Sequence, residues 1–256
     1  MKEFFGIGGY TREPEGYLSW QHLLFVTSVM LVMALLAVLI GRKYKPLDEK
    51  RKNKVLLWAA ILINFFEAFK TVMVCVNAQD AMRWLYELPL FLCSIQLITI
   101  PLAALTRGRV KEASLDFVLI FGLLGAILGT YGAGQNYACY PVLSFDNVVS
   151  AITHAISGFS ALYIAISGMA SLKKRNIPIT FMILLGFCGA AYAANITLDY
   201  NYMFLMRGDG TPYDLLMNIV GGNQAAYTVG VVVLFLFYIV LFYSVYYLIN
   251  KNRKKA

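Results

Sequence analysis

Long apolar runs alternate with short polar ones along the whole chain. "WQHLLFVTSVMLVMALLAVLI" gives way to "GRKYKPLDEKRKNK", and the same rhythm repeats to the C-terminus. Seven runs stand out: Trp20–Ile40, Lys54–Val76, Leu88–Leu105, Ala113–Tyr131, Val148–Ser171, Ile177–Leu198 and Ala226–Ile249. A hydrocarbon layer about 30 Å thick is crossed by about 20 helical residues. Each run supplies that with modest tilt, the third and fourth being the shortest. The pattern predicts an all-α, polytopic bundle of seven transmembrane helices. Two connections are long enough to hold structure of their own. "GAGQNYACYPVLSFDN" is one; the other, "DYNYMFLMRGDGTPYDLLMNIVGGNQ", contains Thr211–Pro212, which reads as an N-cap followed by proline in the first turn. A short interfacial helix over Pro212–Ile219 is expected. No repeat, low-complexity stretch or linker is apparent, so 1–256 reads as one membrane domain.

Composition agrees. Hydrophobic residues make up 59% of the 256 and charged residues only 14%, where a soluble domain carries about a quarter charged. The net charge of +8 changes the picture only through its placement. Seventeen of the 22 Lys and Arg fall in alternate polar segments: 42–54, 107–111, 173–175 and 251–255. Lys2, Arg12, Arg83 and Arg207 lie in the others, and Lys70 lies inside a run. Short basic runs on one side of a set of spans are a topology signal rather than a nucleic-acid surface. They predict an outer N-terminus, a cytoplasmic C-terminus, a multi-pass protein of the cell membrane, and no nucleic-acid partner. The first twenty residues have no apolar core ahead of a small-residue cleavage site, so no removable signal peptide is expected. Four cysteines without C-x-x-C spacing indicate neither zinc nor a redox pair. "GIGGY" follows no strand and is not a nucleotide loop. No metal or cofactor is expected.

Polar groups inside a bilayer need a reason. Cys93 lies about six residues inside the outer end of the third run, roughly 9 Å deep. His154 lies equally far inside the fifth. The chain has only two histidines, and the other, His22, sits near the outer end of the first run. A thiol level with an imidazole can act as a nucleophile, since the imidazole takes the proton of the reactive thiolate. Gln96, one turn after Cys93, or Asn195, near the outer end of the sixth run, could orient the imidazole or donate to an oxyanion. Packing for Cys93 and a helix contact for His154 is the plain alternative. Glu67 and Lys70 share a face of the second run with Asn64, and read as an ion pair; a proton path or a headgroup contact is the sharper alternative. Cys188 reads as core, and Gly125 and Gly129 in "GLLGAILG" as close helix packing. Cys75 and Cys139 lie at the same outer side, where a disulfide would be permitted. Trp20, Trp84 and Tyr86 fit an interfacial aromatic belt.

Three motifs carry a resemblance. "ELPLFLC" (87–93) resembles the L-P-L-x-L-C segment of the bacterial YwaF-type integral membrane proteins, which are similar to the eukaryotic transmembrane protein 164 acyltransferases. "DNVVSAITHAISGFSALY" (146–163) resembles that family's histidine helix, and "NYMFLMRGDGTPYDLL" (201–216) its N-Y-M-(F/Y)-L segment. Order and spacing agree over roughly residues 15–250. The resemblance implies a seven-helix bundle, phospholipids as substrates and an acyltransferase activity. Cys93 then matches the acyl-accepting cysteine and His154 its partner. Phe91 stands where family members often have histidine. Two other function classes compete. One is a transporter or channel with Glu67, Lys70 and Asn195 along a path, for which a discontinuous helix or an inverted repeat is the expected sign and neither is visible in the sequence. The other is a receptor-like or structural bundle. A retinal Schiff base is disfavoured, because the seventh run has no lysine before Lys251 at its end.

Overall fold

Every long apolar run but one folds as a continuous helix. The computed structural model describes residues 2–170 and 172–253. Ser171, the expected end of the fifth run, and Lys254 and Lys255 of the basic tail lie outside the described residues. Helix α1 spans Trp20–Tyr44, with Ser19 Oγ accepting the His22 N–H at 3.2 Å. Helix α2 spans Glu49–Ala78, capped by Asp48 on the Arg51 N–H at 2.7 Å. Helix α3 covers only Gln96–Leu105, and α4 runs Gly108–Tyr131. A short α5, Gly134–Cys139, precedes α6, Phe145–Ile166, whose first turn is capped by Ser144. Helix α7 spans Ile177–Leu198, α8 Tyr213–Ile219 and α9 Gln224–Arg253. Among the described residues, six helical segments are long and apolar enough to cross a membrane. Their outer faces carry exposed apolar side chains such as Leu31, Leu35, Met182 and Phe237. Water would penalise such faces and lipid does not, so the chain is a multi-pass membrane protein.

The third expected span is the exception: it is not one helix of membrane-spanning length. Residues 87–95 are irregular, and the ten-residue α3 follows them. Pro89 biases Leu88 away from the helical region and removes a donor. Ser94 Oγ then accepts the Phe91 N–H at 3.0 Å and donates to the Phe91 carbonyl at 3.1 Å, closing a local turn that competes with the helix. Within α3, Pro101 cannot donate to the Leu97 carbonyl. Asn64 Nδ2 fills the vacancy at 3.0 Å, which gives a structural reason for an amide inside α2. The passage still changes ends. Lys111 near the start of α4 meets Glu49 at the start of α2, 2.9 Å away. Residues 79–107 therefore return the chain to the end rich in Lys and Arg, the basic end.

Two smaller corrections concern helix ends. The fifth run stops at Ile166 rather than Ser171, with Gly168 just beyond it at φ +75°. The cap of α8 is Pro212, and Thr211 Oγ1 accepts the Tyr213 N–H at 3.4 Å, so the short helix starts one residue later than expected.

Helices α4 and α6 form the centre. Their apolar windows are 61% and 50% buried, against 17–22% for the other four spans. A Cβ on Gly122 would lie 2.9 Å from the Ser157 carbonyl, so the two backbones approach as closely as glycine permits. At the basic end, fully buried Asp116 of α4 accepts the Leu172 N–H at 2.9 Å, Asn176 Nδ2 at 3.0 Å and the Tyr243 hydroxyl at 2.8 Å. This carboxylate ties α4, the α6–α7 connection and α9 together.

Candidate active site

The irregular stretch before α3 places Cys93 against the centre of the bundle. Its Cα and Cβ face Gly125 of α4, where an added methyl would sit 3.4 Å from both. One turn further along α4, a Cβ on Gly129 would overlap His154 Cδ2 and Nε2. Gly129 is therefore the floor on which the imidazole of α6 rests. Cys93 and His154 lie close enough for their side chains to interact electrostatically. The ring's other nitrogen is committed: Nδ1 donates to the Ser150 carbonyl at 2.7 Å. A proton held on Nδ1 leaves Nε2 as the acceptor, the tautomer needed to receive a proton from a thiol. Cys93 and His154 are each only partly buried as residues.

Gln96 lies three residues beyond Cys93, fully buried. Its Oε1 accepts the Thr99 hydroxyl at 2.9 Å, while its Nε2 has no hydrogen-bond partner among the described residues. An orphaned buried donor is uncommon in a native interior. Below the turn, Lys70 of α2 contacts Glu67 at 3.3 Å and Glu87 at 3.0 Å, with all three side chains about four-fifths buried or more. The sequence pointed to the first pair only. The second pins Glu87, the first residue of the irregular stretch, to α2. Glu67 also lies close enough to act electrostatically on both Cys93 and His154. Tyr202 steadies the stretch from the other side, accepting the Leu88 N–H at 3.2 Å and donating to the Leu85 carbonyl at 2.7 Å.

The remaining expected residues sit elsewhere. Asn195 clasps the chain after α7: its Nδ2 donates to the Tyr202 carbonyl at 3.0 Å and its Oδ1 accepts the Tyr202 N–H at 2.6 Å. Both halves of the amide are occupied by that clasp. His22 is fully buried, with Nδ1 accepting the Leu18 N–H at 3.1 Å and Nε2 donating to the Thr130 carbonyl at 3.2 Å. It stacks on Tyr137 at 3.9 Å and locks α1 to the end of α4. Phe91 packs among Tyr200, Tyr202 and Phe204, its ring centroid 5.2–6.3 Å from theirs, whereas Cys93 faces α4. All four cysteines are free thiols, including Cys75 and Cys139. Among the described residues no group of three or more His, Cys, Asp or Glu is placed to hold a metal.

A strap from the N-terminus roofs this end of the bundle. Phe5 packs on Phe69 of α2 and Phe145 of α6 at 6.3 and 5.2 Å. The Phe4 carbonyl accepts the Phe145 N–H at 2.8 Å, and the Tyr10 hydroxyl donates to Asp146 at 2.7 Å. Burial and the neighbouring Asp146 hold the Tyr10 phenol well above its usual range, so it stays a donor.

Sequence reasoning missed four contributors. Ser150 acts through its backbone carbonyl, which leaves no side-chain signature. Gly125 and Gly129 read as packing residues, and their spacing does not say what they pack against. Asp116 was legible as a charge inside an apolar run, "LDFVLIF".

Comparison with known proteins gives one match. The model of the TMEM164 family matches residues 17–243, most of the chain and every element of the site. No curated protein and no solved structure matches.

Proposed function

The chain belongs to the TMEM164 family, and on that premise we propose that it is an integral membrane acyltransferase, moving a fatty acyl chain between phospholipids through a thioester on Cys93. The observation that carries this reading is the Cys93–His154 pair with Nδ1 tied to Ser150. The Cys93 thiol gives its proton to His154 Nε2, and the sulfur attacks the ester carbonyl carbon of a donor phospholipid. Gln96 Nε2, the unpartnered donor one turn away, stabilises the oxyanion that forms. The ester C–O bond breaks, the departing lysophospholipid oxygen takes the proton from Nε2, and the acyl group remains on sulfur. A second lysophospholipid then passes its hydroxyl proton to Nε2 and attacks the thioester. The C–S bond breaks, and the proton returns to the thiol. Two lipids enter and two leave, with no other reactant.

The positive-inside pattern orients the protein with its N-terminus outside and its C-terminus in the cytoplasm, which sets the pair in the outer leaflet of a bacterial plasma membrane. The test is reconstitution in vesicles holding a phospholipid with a deuterated acyl chain and an unlabelled lysophospholipid. Mass spectrometry should find the deuterated chain on the acceptor with the native chain and not with Cys93→Ala. No transfer by the native chain would overturn the reading. A second reading, a transporter, draws on the unwound stretch 87–95 beside Glu67, Lys70 and Glu87, the kind of broken passage such proteins use. Solute flux lost in Glu67→Gln, without acyl turnover in the native chain, would favour it.

A further inference from the structure

A cavity of about 440 Å³ opens at the basic end of the bundle, between the starts of α2 and α4 and the turn after α6. Lys52, Lys111, Lys173, Glu49 and Glu112 are among the residues that line it, and Lys111 Nζ also donates to Asn53 Oδ1 at 3.0 Å. Glu112 is held by Lys173 at 2.7 Å and Arg175 at 3.1 Å. Glu49 is different: its side chain is 75% exposed, yet it reaches in to Lys111, which is 13% exposed. Lys52 is anchored by its backbone, whose carbonyl accepts the Tyr163 hydroxyl at 3.0 Å. Its half-buried ammonium forms no ion pair among the described residues. Gly108, the first residue of α4, lines the same cavity, and Arg107 before it provides no side-chain cap. The amides of that first turn are free of intrahelical partners. Leu115 and Met169 add apolar wall.

We propose that this cavity binds a phosphate-bearing anion, held by Lys52, Lys111 and the first-turn amides of α4, with Glu49 as the carboxylate it displaces. A phosphate offers more charge and more acceptor oxygens than the carboxylate it replaces. The pair it breaks has one partner in solvent, and such pairs contribute little. A helix start adds favourable dipole and donors for an anion. Basic pockets between membrane helices at a headgroup surface suit anionic lipid, and a soluble phosphate ester shares the same chemistry. Lys111 lies roughly 27 Å along α4 from Gly129 beneath His154, so this site is separate from the acyl-transfer site and does not depend on it.

The test uses the full chain in phosphatidylcholine nanodiscs and follows thermal unfolding during titration with dioctanoyl phosphatidic acid, inorganic phosphate or dioctanoyl phosphatidylcholine. Phosphatidic acid should raise Tm saturably, as a ligand of the folded state does. Lys52→Gln should weaken its apparent affinity about tenfold, the loss of one charge-assisted contact. Glu49→Gln should strengthen it about threefold, the release of one weak surface pair. An equal rise with inorganic phosphate assigns the site to free phosphate esters; a rise with the lipid alone assigns it to a headgroup. Equal protection by phosphatidylcholine, no saturable rise, or an affinity unmoved by Glu49→Gln overturns the proposal. Glu49 is exposed, so its variant keeps the test alive if Lys52→Gln does not fold.

Discussion

The two histidines of this chain lie on neighbouring helices near the same end of the bundle, and they differ in what their ring nitrogens are left to do. His22 has both committed to backbone, one to the Leu18 N–H and one to the Thr130 carbonyl, and is sealed from solvent. His154 has Nδ1 committed to the Ser150 carbonyl and Nε2 over Gly129 without a hydrogen-bond partner among the described residues, with Cys93 close by. A fully engaged imidazole fastens helices and can move no proton without breaking them apart. A half-engaged one has a fixed tautomer and a spare acceptor. Residue type alone does not separate the two; the count of free ring nitrogens does.

The comparison can be broken in order of expected effect. Cys93→Ala removes the acyl carrier and should lower acyl transfer by about three orders of magnitude or more, as loss of a nucleophile does. Measured as turnover per folded molecule in vesicles, a smaller loss would mean that the thiol is not on the path. His154→Gln should lower transfer about 10²- to 10⁴-fold, the usual contribution of a general base, with helical circular dichroism retained. His22→Leu should show the inverse. It leaves the buried Thr130 carbonyl without its partner, at about 1–3 kcal/mol, and removes the acceptor of the exposed Leu18 N–H. Tm should fall while turnover per folded molecule holds.

Two variants sharpen the site itself. Gly129→Ala puts a methyl where the His154 ring lies, whereas at Gly125 the same methyl meets Cys93 at ordinary contact distance, 3.4 Å. Transfer should drop by well over half in Gly129→Ala and change little in Gly125→Ala. Gln96→Leu removes the orphaned donor, so it should cost about 10²-fold or more in transfer. Its stability should change little, since Nε2 has no partner to strand and the Thr99 hydroxyl keeps the Ile95 carbonyl as acceptor at 3.2 Å. A drop in Tm equal to that of His22→Leu would mark Gln96 as merely structural.

Much of this was readable from the sequence, and the reasons for the rest are physical. Helix α7 has the bounds its apolar run predicts, Ile177–Leu198, because hydropathy governs a span with no proline past its first turn. The run Leu88–Leu105 has equal hydropathy but carries Pro89, and a serine that closes its own turn, so half of it does not wind. Cys93 and His154 were placed level by counting residues from the ends of their spans. Depth is one coordinate, however, and the rotation that brings them together depends on Gly125 and Gly129. The clasp of Asn195 on Tyr202 was not legible because Tyr202 lies beyond the helix end, where periodicity has nothing to say. Lys70 was paired with Glu67 by i,i+3 spacing, while Glu87 joins them only in three dimensions.

The central claim is that the acyl group travels on the sulfur of Cys93. Intact-protein and peptide mass spectrometry, after brief incubation with phospholipid and no acceptor, tests it directly. The account predicts one acyl mass on the Cys93 peptide, released by hydroxylamine, present in His22→Leu and strongly reduced in His154→Gln. Full acyl transfer with no adduct on Cys93, or an adduct on Cys75, Cys139 or Cys188 in its place, would contradict it.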